Sequence, residues 1–585
     1  MLAVEAPYKL SFLNKAWEIA SCEERLIYGL TQQLGIGDIA ARLLAQRGIT
    51  NDNAAAFLNP TLRDHLPDPS GLTDMDKATA RLANAIQNKE TIGIFGDYDV
   101  DGACSSALIV NYCNQLGVKT EVHIPDRREE GYGPNIGALE KLLAKGCKLI
   151  VTVDCGVTAH APLASITGQG AEVIVVDHHM AEAALPKAYA VINPNRLDCD
   201  FPHKNLAACG VVFMVLVALN RALREAGVAN LPDLRQFLDL VALGTVADVV
   251  PLTGLNRLLV LRGLEVLNQR QNLGLTTLSD VARLKERADA YHLGFILGPR
   301  INAGGRVGKA DLGVRLLTTG DIGIAQEISG ELEALNVARQ QIERTQVEEA
   351  VAQVEAEYAN DPVIIVGGRG WHLGVIGLIA ARIKEKYQRP AAALAFEGDI
   401  ATASARSVKG FDMGAAVLAA VQAGICLKGG GHAMAAGFTI SHKRLKDLRA
   451  FMQERFAASG VPLYPTLNVD AILSGAALNF QVYAHIQQLG PFGTGNPEPR
   501  FLLQSQLVEY ADILKGSHLR LNLRSADGSR IKGIAFRAMQ SGLGEAILGN
   551  RDKPLDIVGS LKLDTYNGGQ RLQFIVDDAR IAAGF

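Results

Sequence analysis

Between about residues 71 and 270, short apolar runs alternate with longer stretches of helical periodicity. The runs at 92–95, 119–124, 149–153 and 173–176 read as strands, and 103–116, 135–145 and a segment near 160 read as helices between them. Continuously apolar strands separated by helices predict a parallel, doubly wound α/β sheet, because helices must cover both of its faces. Ligands of such sheets bind beyond the carboxyl ends of the strands.

The pattern then changes three times. Residues 321–358 are rich in Glu, Ala, Gln, Leu and Val without proline, which predicts one long helix bridging two domains. A second, smaller α/β unit follows, with strands at 363–366 and 391–396 around an amphipathic helix at 374–387. Beyond residue 461 short strands and Gly or Asn turns take over. The runs 518–524 and 530–537 alternate, one face apolar and the other basic. Two such strands in a small β domain point to an oligonucleotide-binding (OB) barrel that tracks phosphates and stacks bases. A solvated outer face is the plainer reading of either strand alone. The expected partition is therefore an N-terminal extension at 1–70, a first α/β domain at 71–320, the connecting helix at 321–358, a second α/β domain at 359–460 and a barrel at 461–585.

Composition agrees with several globular domains: 585 residues, 48% hydrophobic and 20% charged. The longest apolar run, 206–219, falls short of the roughly 20 residues that span a bilayer and is expected as a buried helix. No basic-then-apolar leader pattern opens the chain. Eight scattered cysteines without a Cys-x-x-Cys pair suggest reduced thiols in a cytoplasm. A net charge of −3 does not advertise a nucleic-acid binder, but a local basic groove is all that binding needs.

Candidate chemistry gathers where the predicted strands end. The first strand runs into Gly96-Asp97-Tyr98-Asp99-Val100-Asp101-Gly102. Strand alternation would turn Asp97, Asp99 and Asp101 to one side, and such a cluster repels itself unless a cation neutralises it. A solvated Asp-Gly turn is the alternative. The third predicted strand ends in Asp154, the fourth in Asp177-His178-His179, and the apolar stretch 238–246 in Asp248. Carboxylates with imidazole suit a cation such as manganese better than calcium. Adjacent residues in extended chain point opposite ways, so one histidine can ligate while the other faces a substrate.

This order of motifs resembles the DHH phosphoesterase superfamily, and within it the RecJ family of bacterial single-strand-specific exonucleases. Supporting stretches are 242–252, Gly298-Pro299-Arg300-Ile301-Asn302-Ala303-Gly304-Gly305-Arg306 and 490–499. The resemblance implies a DHH domain, a DHH-associated domain and a C-terminal OB domain. It implies a 5′→3′ exonuclease on single-stranded DNA that releases 5′-mononucleotides with two Mn²⁺ or Mg²⁺ ions, in recombination and repair. Asp154 is expected to bridge the ions, with Asp99, Asp101, His178 and Asp248 completing the shells. Asp97 either ligates or orients a ligand. His179 is expected to face the scissile phosphate, and Arg306, in a Gly-Gly-Arg turn, to reach a phosphate oxygen. Ser404, Arg406 and the glycine-rich turn Gly430-Gly431-His432 are expected to hold the 5′-phosphate, while Trp371 is expected in a core. A single-strand-binding protein and a helicase are the partners implied; a monomer without membrane contact is the default. Two alternatives remain at this point: another DHH phosphoesterase acting on short oligonucleotides or cyclic dinucleotides, or a non-catalytic single-strand-binding relative.

Overall fold

A computed structural model describes residues 10–127, 129–462, 464–564 and 570–582. After a short strand β1 (Ala16–Ile19), the first sheet contains β2 (Ile92–Gly96), β3 (Thr120–His123), β4 (Leu149–Val153), β5 (Glu172–Val176) and β6 (Ala190–Ile192). All are parallel, in the order β3-β2-β4-β5-β6. The chain leaves β2 for one side of the sheet and returns to build β4 on the other. The topological switch point therefore lies between the carboxyl ends of β2 and β4.

Alternate strand residues face opposite layers, as a pleated strand requires. Ile92, Ile94, Val151 and Val176 pack under helices α1 (Val100–Gln115), α2 (Ala208–Glu225) and α3 (Leu238–Ala247). Phe95, Ile150, Val173 and Val175 pack against the other layer. The apolar run at 206–219 is thus the buried helix α2, as expected.

A π-helical turn, His292–Leu297, leads into α4 (Gly298–Val307), and α5 (Ile322–Gln353) is the long connecting helix. It ties the two halves by charge: Glu333 holds Arg300 from the first unit at 2.5 Å, and Glu343 holds Arg382 from the second at 3.0 Å. Arg382 belongs to α6 (Ile376–Tyr387), which packs on the second sheet of β7 (Ile364–Arg369), β8 (Ala391–Glu397), β9 (Ile400–Arg406), β10 (Lys428–His432) and β11 (Ala435–Ser441), ordered β10-β11-β9-β8-β7. Only β7 and β8 are parallel. Trp371 is buried in this unit's core, its indole donating to Glu349 at 2.7 Å.

The glycine run at 429–431 differs from expectation. It is an edge strand, β10, laddered onto β11, and not a turn. A Cβ at Gly429 would stand 2.7 Å from Val417 and 2.8 Å from Phe438, so glycine there lets the strand lie close on its neighbours.

After β12 (Thr466–Val469), the six-stranded C-terminal sheet comprises β13 (Ala471–Leu473), β14 (Phe501–Leu514), β15 (His518–Arg524), β16 (Arg530–Ala535), β17 (Leu555–Asp564) and β18 (Arg571–Ile581). β12 pairs in parallel with β1; β14, β15, β16, β18 and β17 close into a five-stranded barrel through the β14–β17 pairing. The N-terminal extension joins this barrel's core, with Ile27, Leu30, Leu43 and Leu44 clustered with Phe501, Leu519 and Phe574. The basic face of the β15–β16 hairpin is less free than its alternation suggests. Arg520 pairs with Asp512 at 2.6 Å, and Arg524 and Arg530 with Glu509 at 3.0 and 3.3 Å.

Candidate metal centre and phosphate clamp

The five expected ligands and Asp97 converge at the switch point, by a local route that differs from simple strand alternation. β2 ends at Gly96. Asp97 follows it, Asp99 caps α1 and Asp101 lies in the first helical turn. The Asp99 carboxylate accepts from the backbone N–H of Asp101 at 2.9 Å and Gly102 at 3.1 Å. The buried Asp101 carboxylate accepts from Ala208 and Cys209, the first residues of α2, at 2.6 and 2.9 Å. A strand end turning directly into a helix, not one strand face, is what brings the three together.

Asp154 follows β4 with φ of 61°, a left-handed conformation that costs a non-glycine residue on the order of 1–3 kcal/mol. Asp97, Asp99 and Asp154 each place a carboxylate oxygen within 4.8 Å of the others; Asp101, His178 and Asp248 form a second such group. Asp154 also reaches the second group, since His178 Nε2 lies 3.2 Å from Asp154 Oδ1 and 3.7 Å from Asp248 Oδ2. Asp248 caps the end of α3.

The electrostatics of this cluster call for cations. Burial, reinforced by neighbouring carboxylates, raises the pKa values of Asp97, Asp101 and Asp154, and that of Asp248 to about 9. Burial lowers the His178 pKa and keeps its imidazole neutral, the form that binds metal. Asp97 Oδ1 and His178 Nε2 are buried without a hydrogen-bond partner. Crowded oxygens plus an orphaned imidazole nitrogen fit divalent cations with mixed oxygen and nitrogen ligation.

Asp177 plays a different part from its neighbours. Its Oδ1 accepts from the backbone of His178 and His179 at 2.7 and 3.1 Å, and its Oδ2 from Val157 at 3.0 Å. The same Oδ1 lies 2.8 Å from His179 Nδ1. Burial is the largest influence and opposes charge on His179, but the Asp177 bond and the charges of Asp177, Asp248 and Asp97 together outweigh it and lift the pKa to about 9. Asp177 thus holds His179 Nδ1, while a His179 ring nitrogen still lies within 4.8 Å of ligand atoms of Asp154 and His178, and Tyr132 Oη is 3.4 Å from its ring nitrogens.

The second cluster lies across a cleft of about 620 Å³ lined by Arg127, Arg306, Ser404, Arg406 and Gly431. Arg306 sits in α4, not in a glycine turn. The preceding glycines serve contact: a Cβ at Gly305 would lie 2.6 Å from the Tyr98 carbonyl. Arg306 donates to the Gly374 carbonyl at 2.9 Å. Burial, with Arg127, Arg339 and Arg406 nearby, lowers its pKa to about 10, which leaves it charged at neutral pH. Arg406 donates to Ser404 Oγ at 3.0 Å. In the sheet register Gly430, Gly437 and Ser404 form one row, and His432, Ala435 and Arg406 the next but one, so these side chains share a face. Gly431 falls in the intervening row, and Gly430 and His432 lie outside the cleft lining.

Sequence reasoning missed Arg127 and Tyr132. Both belong to the loop between β3 and the next helix, where no periodicity marks them. Arg127 stands over the Tyr98 ring at 5.3 Å, inside the acidic motif. An arginine and a tyrosine in a polar loop carried no signal beyond their residue types.

Comparisons with known proteins agree with this architecture. Family models match as the DHH family N-terminal domain over residues 91–245, the DHHA1 domain over 360–458 and the RecJ OB domain over 469–578. The chain is 33% identical to the single-stranded-DNA-specific exonuclease RecJ of Bacillus subtilis, covering 97% of this chain and 71% of that protein. It is 37% identical to RecJ of Escherichia coli, covering 92% and 95%. Among solved structures, RecJ in complex with Mn²⁺ from Thermus thermophilus superposes with a TM-score of 0.81 at 30% identity, covering 97% of this chain and 80% of that one. The Mg²⁺ complex from the same organism gives 0.77 at 28% identity, covering 97% and 78%.

Proposed function

The chain belongs to the RecJ family of single-stranded-DNA-specific exonucleases, and from that premise we propose how its residues divide the work. It is a metal-dependent exonuclease on single-stranded DNA, using Mn²⁺ or Mg²⁺. The observation that carries the reading is the meeting of Asp97, Asp99, Asp101, Asp154, His178 and Asp248 at the switch point of the first sheet. A non-catalytic relative has no need to keep so many self-repelling acids together.

We assign Asp99, Asp101, Asp154, His178 and Asp248 as ligands, Asp154 as the bridge, and Asp97 as a ligand or its positioner. When bound, two divalent cations activate a water and neutralise charge at phosphorus and the leaving oxygen. Asp177 holds His179, so that its other nitrogen can donate to a phosphate oxygen. Arg306 supplies a fixed positive charge across the cleft. Ser404, Arg406 and Gly431, which line the cleft, take the terminal 5′-phosphate, with Gly430 and His432 flanking Gly431 on β10; this clamp sets direction from the 5′ end. Hydrolysis then breaks the bond from phosphorus to the 3′ oxygen of the first nucleotide. The first nucleotide leaves as a 5′-mononucleotide, and the next keeps a 5′-phosphate for another round.

The partition into 1–70, 71–320, 321–358, 359–460 and 461–585 belongs to the same proposal. So do monomeric action on strands supplied by a helicase and a single-strand-binding protein, and residence in a reducing cytoplasm. Among the described residues no helix is long and apolar enough to cross a membrane. All eight cysteines are free. The test is a single-stranded DNA labelled at either end, incubated with Mn²⁺ and the chain or Asp154→Ala. Immediate mononucleotide release from the 5′ label, lost in the variant, supports the reading. Release from the 3′ label first would remove the assigned 5′ clamp while leaving the metal centre.

A further inference from the structure

Tyr291 and Phe295 are 58% and 69% exposed, yet their rings stack on each other, centroids 5.1 Å apart and planes 26° apart. Large aromatic side chains left this open in a chain with extensive cores invite an explanation. Phe295 lies in the π-helical turn His292–Leu297 and Tyr291 immediately precedes it; such irregular geometry is enriched at functional sites.

The turn is rigidly mounted. Buried His292 contacts Asp289 through Nδ1 at 2.7 Å and Glu286 through Nε2 at 3.1 Å. Its inner side packs against α3: a Cβ at Gly294 would lie 3.3 Å from Val246, and one at Gly298 3.6 Å from Ala247. The next residue along α3 is Asp248, one of the clustered carboxylates. In the other direction the turn runs into α4, and Phe295 precedes Arg306 by about 16 Å of helix. On its far side, Asp289 adds its charge to the burial that raises the Tyr483 phenol, on the helix Phe480–Gln487 beside the barrel. The segment that carries the aromatic pair therefore packs on the helix that ends at Asp248, runs into the helix of Arg306 and approaches the helix of Tyr483.

Charge points to the occupant. Exposed Arg283, Lys285 and Arg287 immediately precede the turn, held beside it by the Glu286–His292 contact, and none forms an ion pair among the described residues. Unpaired cations next to exposed ring faces match a strand that presents phosphates and unpaired bases.

We propose that Tyr291 and Phe295 form a base-stacking ledge for single-stranded DNA, with Arg283, Lys285 and Arg287 on its phosphates, along the path between the barrel and the metal centre. The inference rests on the exonuclease reading above. A ledge of this kind takes bases only when they are unpaired, so it adds a binding preference for single strands that the metal centre itself cannot supply.

The test walks one abasic nucleotide along a single strand of about 20 nucleotides and measures Kd with metal withheld. For the unmodified chain, abasic substitution at one or two adjacent positions is expected to weaken binding about tenfold, within the range of one lost stack. In Tyr291→Ala/Phe295→Ala the intact strand should bind about tenfold more weakly and that step of the walk should disappear. Tyr291→Leu/Phe295→Leu, which keeps apolar bulk without a π face, should behave alike. Variants that bind the intact strand as tightly as the parent, or that keep the step in the walk, overturn the ledge. Mononucleotide release by the unmodified chain is scored separately, so failure of the ledge is distinguishable from failure of the exonuclease reading.

Discussion

Asp177 Oδ1 stands 2.8 Å from His179 Nδ1, while His178, one residue earlier, turns its Nε2 to Asp154. The carboxylate thus separates two adjacent histidines into a charged imidazole, the proposed phosphate contact, and a neutral one, the proposed ligand. The His179 pKa of about 9 also draws on Asp248 and Asp97, whose charges bound cations offset. The Asp177 bond then does most to retain the proton. If imidazolium is the working form, activity should fall as pH rises through about 9 or somewhat below. In Asp177→Asn that fall should move toward acid pH, with a rate loss of about 10–100-fold, typical for a group that orients a site residue. A pH–rate profile with an unmoved alkaline arm would remove Asp177 from this role.

Asp154 is the carboxylate that reaches both ligand groups. Asp154→Ala should lower turnover by roughly a thousandfold or more, the several kcal/mol that metal ions contribute to such chemistry. Its single-strand binding should persist, because the barrel and cleft do not depend on this side chain. Chelation of the parent, read by the same turnover assay, should match the variant, and added Mn²⁺ should restore only the parent.

Much of this centre is legible in sequence because the switch-point rule needs only strand ends, and Asp97, Asp154 and Asp177 all follow strands. The errors are those of range. Asp101 looks like a third alternating strand residue because local pattern cannot show that α2 offers its N-terminal N–H groups to it from more than a hundred positions away. Arg306 and Gly429 read as turn residues because glycine signals both turns and close packing. Contacts with Tyr98 and Val417 decide between these, and neither is near in sequence. β1 pairs with β12 some 450 residues on, a partnership that residues 1–70 alone do not reveal.

Arg406 and Ser404 share a face beside Arg306, which predicts dependence on the terminal group of the strand. The parent should prefer a 5′-phosphorylated strand over a 5′-hydroxyl one. Arg406→Ala should raise KM for the phosphorylated strand by about 10–100-fold, in keeping with a charged hydrogen bond of about 1.5–3 kcal/mol, and erase the preference. Equal loss on both strands would assign Arg406 to the strand's interior phosphates instead.

Asp239 opens α3, the helix that Asp248 closes, and is buried with one hydrogen bond, from Leu240 N–H at 2.8 Å. Burial raises its pKa from the usual 3.8 to about 7. Between those values the folded protein holds a proton that the unfolded chain has lost. Stability is therefore expected to fall as pH rises across that window, by up to about 4 kcal/mol. Asp239→Asn removes the penalty. Its Tm should exceed the parent's at about pH 8 and equal it near pH 4, the two ends of that titration. An equal difference at both pH values would mean that the amide acts through packing rather than charge.

Gly102 gives the sharpest test of how the acidic motif folds. At an ordinary helix position Gly→Ala stabilises by about 1 kcal/mol, because alanine loses less backbone entropy. Here a Cβ would sit 2.4 Å from the Asp97 carbonyl oxygen and 2.7 Å from Asp97 N and C, all backbone atoms without freedom to withdraw. Gly102→Ala must therefore push Asp97 away from Asp99 and Asp154 or unwind the first turn of α1. Either route weakens the ligand cluster and loosens the cap that Asp99 places on that turn. The expected result is a lower Tm together with weaker Mn²⁺ binding by calorimetric titration. A higher Tm with unchanged Mn²⁺ affinity would show that the turn accepts a side chain and that its tight closure is not what aims Asp97.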